Sequence, residues 1–506
     1  MKIKYRKNIF PIAIAVLTSS LTACNKEFEK TNTNPNNIEV TDAKTLFSNV
    51  IVSEFYNNAS NAWSLGNAYS QYITNSYSYY NQPLRYQAES NSTFWDQLYY
   101  SARDANILYS ATTNPAVEAA ALTLRSYAFA QLTEIWGNIP FKNALNGSQA
   151  EFTSTFDTQE TVYTDNDRGI LPCLKRADSL FSLATTADFN STEFAGGDLL
   201  FSGNSTKWRG FVNALRLRYL MRVSAKIDVS SEMQTIASNT ATLIQDANSG
   251  AILTLPSTTP YNFPSTTARS GDYTIIFMND LLYNTFKNTG DANRMGAYFA
   301  ANSNNSTATT FDFNYYGGMP MVTDATTAQA SSASLFNANF NSSYSTYAGG
   351  ATSNSNVIRA KIISYSEQEF ILAEAALKGL ISGTASTYYN AGVLGAYTEL
   401  ALSGGSNYLA NANVTLSSNS ATALNQIITQ KWLNNLGNSF EGWIEYRRTG
   451  YPIFSTGGSA NLDNGKIPYR FLYPDDERTI NSTNYNTAVQ LMGGTDDTNY
   501  KGWWDN

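Results

Sequence analysis

The chain of 506 residues contains no histidine and only two cysteines, Cys24 and Cys173. This excludes Ser-His-Asp and Cys-His nucleophile sites, HExxH zinc sites and any histidine general base. The patterns GxGxxG, GxxxxGK(S/T), CxxC and GxSxG are missing too. Catalysis would fall to carboxylates, lysine or tyrosine. One enzyme class stays open on that basis, a glycosidase whose two carboxylates lie about 5–9 Å apart and need no histidine. The chain is better equipped for recognition. Its 33 tyrosines gather with amides and arginine in ITNSYSYYNQPLRY (73–86). Tyr77, Tyr79, Tyr80, Asn81 and Arg85 there are candidate ligand contacts, joined by Trp63 upstream. Aromatic faces pack on the C–H groups of a sugar, and amides and guanidinium forks pair with its hydroxyls. A peptide would be served equally well. Asp165 and Asp167 in TDNDRG lack the glycine spacing and the twelfth-position glutamate of a calcium loop, so no metal and no cofactor is expected.

Loops that present such groups need a rigid scaffold. Apolar residues recur at three- and four-residue steps, the helical period, along six stretches. These are Phe94–Leu108, Leu122–Trp136, Trp208–Val223, Phe370–Leu380, Leu424–Leu436 and Phe440–Arg447. Asn114 and Pro115 separate the first two, and Gly137, Gly437 and Gly450 read as stops. Ser366 and Glu369 have capping-box spacing. In the segment from Val162 to Phe181 a helix is expected to start near Pro172. Helix pairs joined by short turns predict an all-α fold of solenoid-like hairpins. Stretches 59–91, 253–272 and 302–356 show no period and read as long irregular loops.

The N-terminus carries a different signal. MKIKYRK holds four cations, IFPIAIAVL is apolar, and LTAC follows. A charged region, a short apolar run and small residues make a secretory signal over 1–23. The apolar run is well short of the ~20 residues that span a bilayer. Leu21, Ala23 and Cys24 form a lipobox, which predicts Cys24 as a lipidated N-terminus and 24–37 as a polar tether. Several acyl chains on one residue give a firm anchor. Removing the four cations takes the net charge from −7 to −11, which disfavours nucleic acid. The remaining thiol, Cys173, sits at an apolar helical position and is expected to be a buried small hydrophobe.

Blocks in order along the whole chain after Cys24 resemble the SusD/RagB family of outer-membrane lipoproteins, in particular its second SusD-like subgroup. They are TNTNPNN (31–37), ALTLRSYAFAQLTEIWGNIPFKNAL (121–145), FDTQETVY (156–163), GGDLLFSGNSTKWRGFVNALRLRYLMRVS (196–224), IISYSEQEFILAEAALKG (362–379), NSFEGWIEYRRTGYP (438–452), IPYRFLYPDDERTINSTNY (467–485) and the terminal Trp503 and Trp504. The resemblance implies a tetratricopeptide-like scaffold with few short strands, over one domain at 38–506. It implies a place at the outer membrane, facing outward, and a SusC-like TonB-dependent β-barrel as partner. It implies capture of a glycan, or a peptide, without catalysis. It also points to loops 261–273 and 311–316, with Arg269, Tyr315 and Tyr316 as further ligand contacts. Glu374, Glu441, Arg447, Arg448 and Arg470 are expected instead to form a buried ion-pair network within the scaffold.

Overall fold

A computed structural model describes residues 42–76, 83–147, 153–302, 312–321, 332–341 and 354–506. The predicted signal segment, Cys24 and the tether lie outside these residues, as do Tyr77, Tyr79, Tyr80 and Asn81. The described chain is all-α with three two-stranded antiparallel sheets. Its principal helices are α1 (Ala43–Asn61), α2 (Ser92–Ala111), α3 (Pro115–Trp136), α4 (Ile170–Leu183), α5 (Ser205–Val223), α6 (Tyr365–Leu377), α7 (Ala385–Glu399), α8 (Ser420–Asn434) and α9 (Glu441–Thr449). The sheets pair β1 (Ile73–Asn75) with β5 (Ile276–Met278), β2 (Ile139–Pro140) with β3 (Phe156–Asp157), and β4 (Ala251–Leu253) with β6 (Ala360–Ile363). No helix among the described residues is long and apolar enough to cross a membrane.

Asparagine, abundant in this chain, starts many of these helices. The side chains of Asn91, Asn114, Asn204 and Asn419 accept hydrogen bonds from first-turn amides of α2, α3, α5 and α8, satisfying donors the helix itself leaves orphaned. Pro115 follows Asn114 at the first position of α3, where its missing N–H costs nothing. Two starts differ from expectation. The α6 cap is Ser364, whose hydroxyl accepts from the Glu367 amide, so Ser366 and Glu369 both lie inside the helix. α4 begins at Ile170, two residues before Pro172. Proline in a first turn removes no intrahelical bond.

Consecutive helices pack as hairpins, α2 on α3, α3 on α4, α4 on α5 and α6 on α7, and one apolar cluster runs from Leu46 to Trp504. Cys173 is buried in it, as expected. Gly392 and Gly395 let α7 lie close on α6: a Cβ at either position would come within 2.7 Å of Phe370 or Ser366. The predicted ion-pair network is present and larger than expected. Arg222, with no exposed surface, donates to Glu134 at 2.7 Å, to Glu441 at 2.6 Å, and to Glu445. Arg218 holds Glu367 through two bonds of 2.9 and 2.7 Å. Arg448 forks onto Glu374 at 2.7 and 2.6 Å and reaches Glu445 at 2.7 Å. Lys431 lies 3.3 Å from Glu445. Arg447 pairs with Asp505 and stacks between Trp443 and Trp504, while Arg470 pairs with Asp496. Burial alone would raise the Glu374 pKa, but Arg448 and Lys378 hold it down at about 2.

Removing one member of such a set leaves charges buried without compensation. Arg222→Met is expected to lower stability by about 3–5 kcal/mol, measured by urea unfolding at pH 7. Glu369 behaves differently. Its buried carboxyl has an amide neighbour, Gln368, and no cation, and burial pushes its pKa up to about 7. A raised carboxyl favours folding only while protonated, so its contribution is lost as pH rises from about 4.5 through 7. Glu369→Gln is expected to gain about 3 kcal/mol relative to the parent between pH 5 and pH 8, read as the change in urea midpoint.

Candidate ligand-binding site

α1 does not end in an ordinary cap. It runs into a π-helical turn, Ala62–Gly66, and then a short turn, Asn67–Tyr69. Such wide turns frequently occur at functional sites. Gly66 makes the turn possible by close approach: a Cβ there would stand 2.0 Å from the Ser439 carbonyl oxygen. The turn pushes Trp63 outward to a half-buried position, its ring stacked at 5.4 Å on Phe336 and at 6.2 Å on both Tyr273 and Phe340. Gln71, with a left-handed φ of 55°, then redirects the chain into β1. Its side-chain amide is clamped by Ser455, which it bonds at 2.7 and 2.9 Å. β1 pairs with β5 in the register Ile73↔Met278, Thr74↔Phe277 and Asn75↔Ile276.

This arrangement brings two loops that are distant in sequence around one cavity of about 620 Å³. Trp63, Leu65, Ile73, Leu84 and Ile276 give it apolar walls; Asn75, Gln87, Glu89 and Asp272 give it polar ones. Burial raises the Glu89 pKa. Asp272 moves the other way, because the Arg269 guanidinium grips both its oxygens at 2.8 and 3.0 Å and lowers its pKa. The cavity thus offers a flat aromatic edge, two amides and two carboxylates, which suits a hydroxyl-rich ligand. Among the described residues, no set of three or more acidic or cysteine side chains is arranged to hold a metal ion.

Of the residues singled out from sequence, Trp63 lines the cavity and Arg269 reaches it through Asp272. Arg85 follows Pro83 and Leu84 of the cavity wall, but its Nε donates to the Ala460 carbonyl at 3.0 Å and so braces the loop before Leu462. Tyr315 and Tyr316 do not line the cavity. Tyr316 is buried, and burial pushes its pKa up to about 12. Tyr77, Tyr79, Tyr80 and Asn81 fall between Ser76 and Pro83, outside the described residues. Asn75, Gln87, Glu89 and Asp272 were not distinguishable from ordinary loop polarity; their only sequence signal is that they flank the aromatic and arginine runs.

Residues 35–474 match a family model described as SusD-like, starch-binding and associating with the outer membrane. The chain therefore belongs to the SusD-like family. No curated protein matches it in sequence. Among solved structures it is similar to a SusD homologue from Bacteroides fragilis, with 25% identity over 92% of this chain and 99% of that one and a TM-score of 0.75. A second Bacteroides fragilis SusD homologue matches at 23% identity over 91% and 99% of the two chains, with a TM-score of 0.76. A chitin-binding SusD homologue from Flavobacterium johnsoniae shares the fold at 20% identity, covering 92% and 98%, with a TM-score of 0.72.

The close approach at Gly66 gives a direct check. Gly66→Ala must part the π-helical turn from Ser439, and it is expected to lower stability by about 3 kcal/mol in urea unfolding, while Ala at the exposed neighbour Ser64 should leave the midpoint nearly unchanged.

Proposed function

We propose that this protein captures an oligomeric glycan in the Trp63 cavity while anchored to the outer membrane by lipid on Cys24, facing the cell exterior. It then passes the ligand to a SusC-like TonB-dependent β-barrel. The observation that supports this reading most is the cavity itself: a stacked indole at its edge, with amides and carboxylates converging on a space large enough for several sugar hydroxyls. Family membership supports it independently, since the family is described as starch-binding and outer-membrane-associated. Tyr77, Tyr79, Tyr80 and Asn81 join this site in the proposal, because both ends of their segment, Asn75 and Pro83, line the cavity. A peptide remains the second ligand class, because amides and aromatic rings serve both.

The glycosidase reading finds one observation in its favour, the presence of Glu89 and Asp272 on the same cavity with pKa values moved in opposite directions. Divergent carboxyls are what acid–base pairs require. Arg269, however, occupies both oxygens of Asp272, which leaves that carboxylate without the freedom to attack a sugar or activate water. Binding without turnover is the stronger reading.

The test is calorimetric titration of the chain from about Asn25 onward against a panel of glycan oligomers and a peptide pool, with product analysis alongside. The expected result is saturable binding of one glycan class, weakened at least about tenfold by Trp63→Ala, with no new reducing ends. Binding confined to peptides would replace the glycan by the second class. Turnover that disappears in Glu89→Gln would overturn the binding reading altogether.

A further inference from the structure

The inner side of α2 is buried through Phe94, Leu98, Ala102, Ala105 and Leu108. Its outer side should then be plainly polar, and it is not. Tyr100 is 55% exposed and Ile107 48% exposed. Together with Trp95 and Tyr99 they edge a groove of about 660 Å³, as large as the Trp63 cavity and separate from it in every lining residue. The groove follows α2 from Trp95 to Ser110, about 22 Å at 1.5 Å per residue. Pro140, Leu145, Ser154, Glu477 and Asn481 also line it.

These walls are fixed by hydrogen bonds that leave other polar atoms for a ligand. The Tyr99 hydroxyl donates to the Pro140 carbonyl at 2.6 Å, which ties helix to loop and leaves its lone pairs as acceptors. The Asn481 amide bridges the Ser154 carbonyl at 2.8 Å and the Glu477 carboxylate at 2.9 Å. The Asn106 carbonyl oxygen accepts from Arg125 at 2.7 Å, so its N–H₂ group is left as a donor. Arg103 lies over the Tyr100 ring at 5.0 Å and pairs with Asp104, presenting a guanidinium face beside an aromatic one.

We infer that this groove is a second saccharide-binding site, for a neutral oligosaccharide lying along α2. Apolar side chains alternate with hydrogen-bonding groups along the groove, the exposed Tyr100 ring with Asp96 and Arg103, and Ile107 with Asn106, and this repeat suits a chain of sugar rings, each with an apolar face and a rim of hydroxyls, linked in line. A docking helix would need an unbroken apolar seam, which Arg103 and Asn106 interrupt. Burial first, and the neighbouring Asp476 charge second, raise the pKa values of Asp96 and Glu477, and this acidic cluster would repel acidic sugars or nucleic acid. With two sites, one chain could hold a long polymer at two points, which raises overall affinity through effective concentration.

The experiment is affinity electrophoresis of the whole folded chain through native gels cast with soluble starch or with glycol chitin. Tyr100→Ala/Arg103→Ala is compared with Trp63→Ala and with the triple variant. Tyr100 and Arg103 are both more than half exposed, so their loss should leave the urea midpoint within error of the parent. The expected result is retardation of the parent by one polymer, an apparent Kd raised about fivefold or more by Tyr100→Ala/Arg103→Ala, residual retardation in Trp63→Ala, and none in the triple variant. The inference is overturned if Tyr100→Ala/Arg103→Ala migrates like the parent, if Trp63→Ala alone abolishes retardation, or if neither polymer retards the parent. Retardation that falls only in Tyr100→Ala/Arg103→Ala would uphold this groove and count against the Trp63 cavity instead.

Discussion

Arg222 is the point from which the rest of this structure is set. A guanidinium without solvent is costly, and it is tolerable only when its donors meet carboxylates in good geometry. Here Glu134 comes from α3, and Glu441 and Glu445 from the first two turns of α9. Glu445 is in turn shared with Arg448 and Lys431, and Arg448 with Glu374, so α3, α5, α6, α8 and α9 meet on one connected set of charges. Satisfying that set fixes where α9 begins. The start of α9 fixes the chain around the Trp63 cavity: the Trp443 amide donates to the Ser70 hydroxyl at 3.0 Å, and Ser439 presses against Gly66. The position of Trp63 is therefore decided by charges buried elsewhere in the molecule.

The helical scaffold could be read from sequence wherever a helix buries one face and exposes the other, as α2 and α4 do. α1 and α7 have no such stripe. α1 buries Glu54, Asn57, Asn58 and Asn61 along with its apolar residues, so period and polarity cancel. In α7, Gly392 and Gly395 look like breakers, yet they are what lets the helix approach Phe370 and Ser366. Arg218 and Arg222 of α5 are buried as well, which depends on carboxylates from distant helices that no local pattern announces. The same limit explains the irregular stretches. Residues 59–91 carry the end of α1, a π-helical turn and β1, none of which has enough length to show a period.

The candidate site was partly legible for a related reason. Aromatic, amide and arginine residues in unperiodic stretches pointed to Trp63 and Arg269, but composition does not say which way a side chain turns. Tyr316 is spent on the core and Arg85 on a neighbouring loop. Polar residues that line the cavity, Gln87 and Glu89 among them, are unremarkable in sequence; the cavity itself takes shape through the β1–β5 pairing, which brings together segments about 200 residues apart.

The same long-range contacts bear on how the chain is made. Ser70 and Tyr72 are bonded to Trp432, which donates to the Ser70 carbonyl at 2.9 Å and accepts from the Tyr72 hydroxyl at 2.6 Å, and the two rings stack at 4.8 Å. Synthesis delivers the N-terminal half first, and domains tend to fold as they emerge. Here the first half arrives with its π-helical turn unsupported and the acid partners of Arg222 on α9 still missing. The nascent chain holds that guanidinium with Glu134 alone of its three carboxylates, and a loose loop, until nearly nine-tenths of it has appeared, so the Trp63 cavity comes into being late and as a whole, when the last quarter of the sequence closes back on the first.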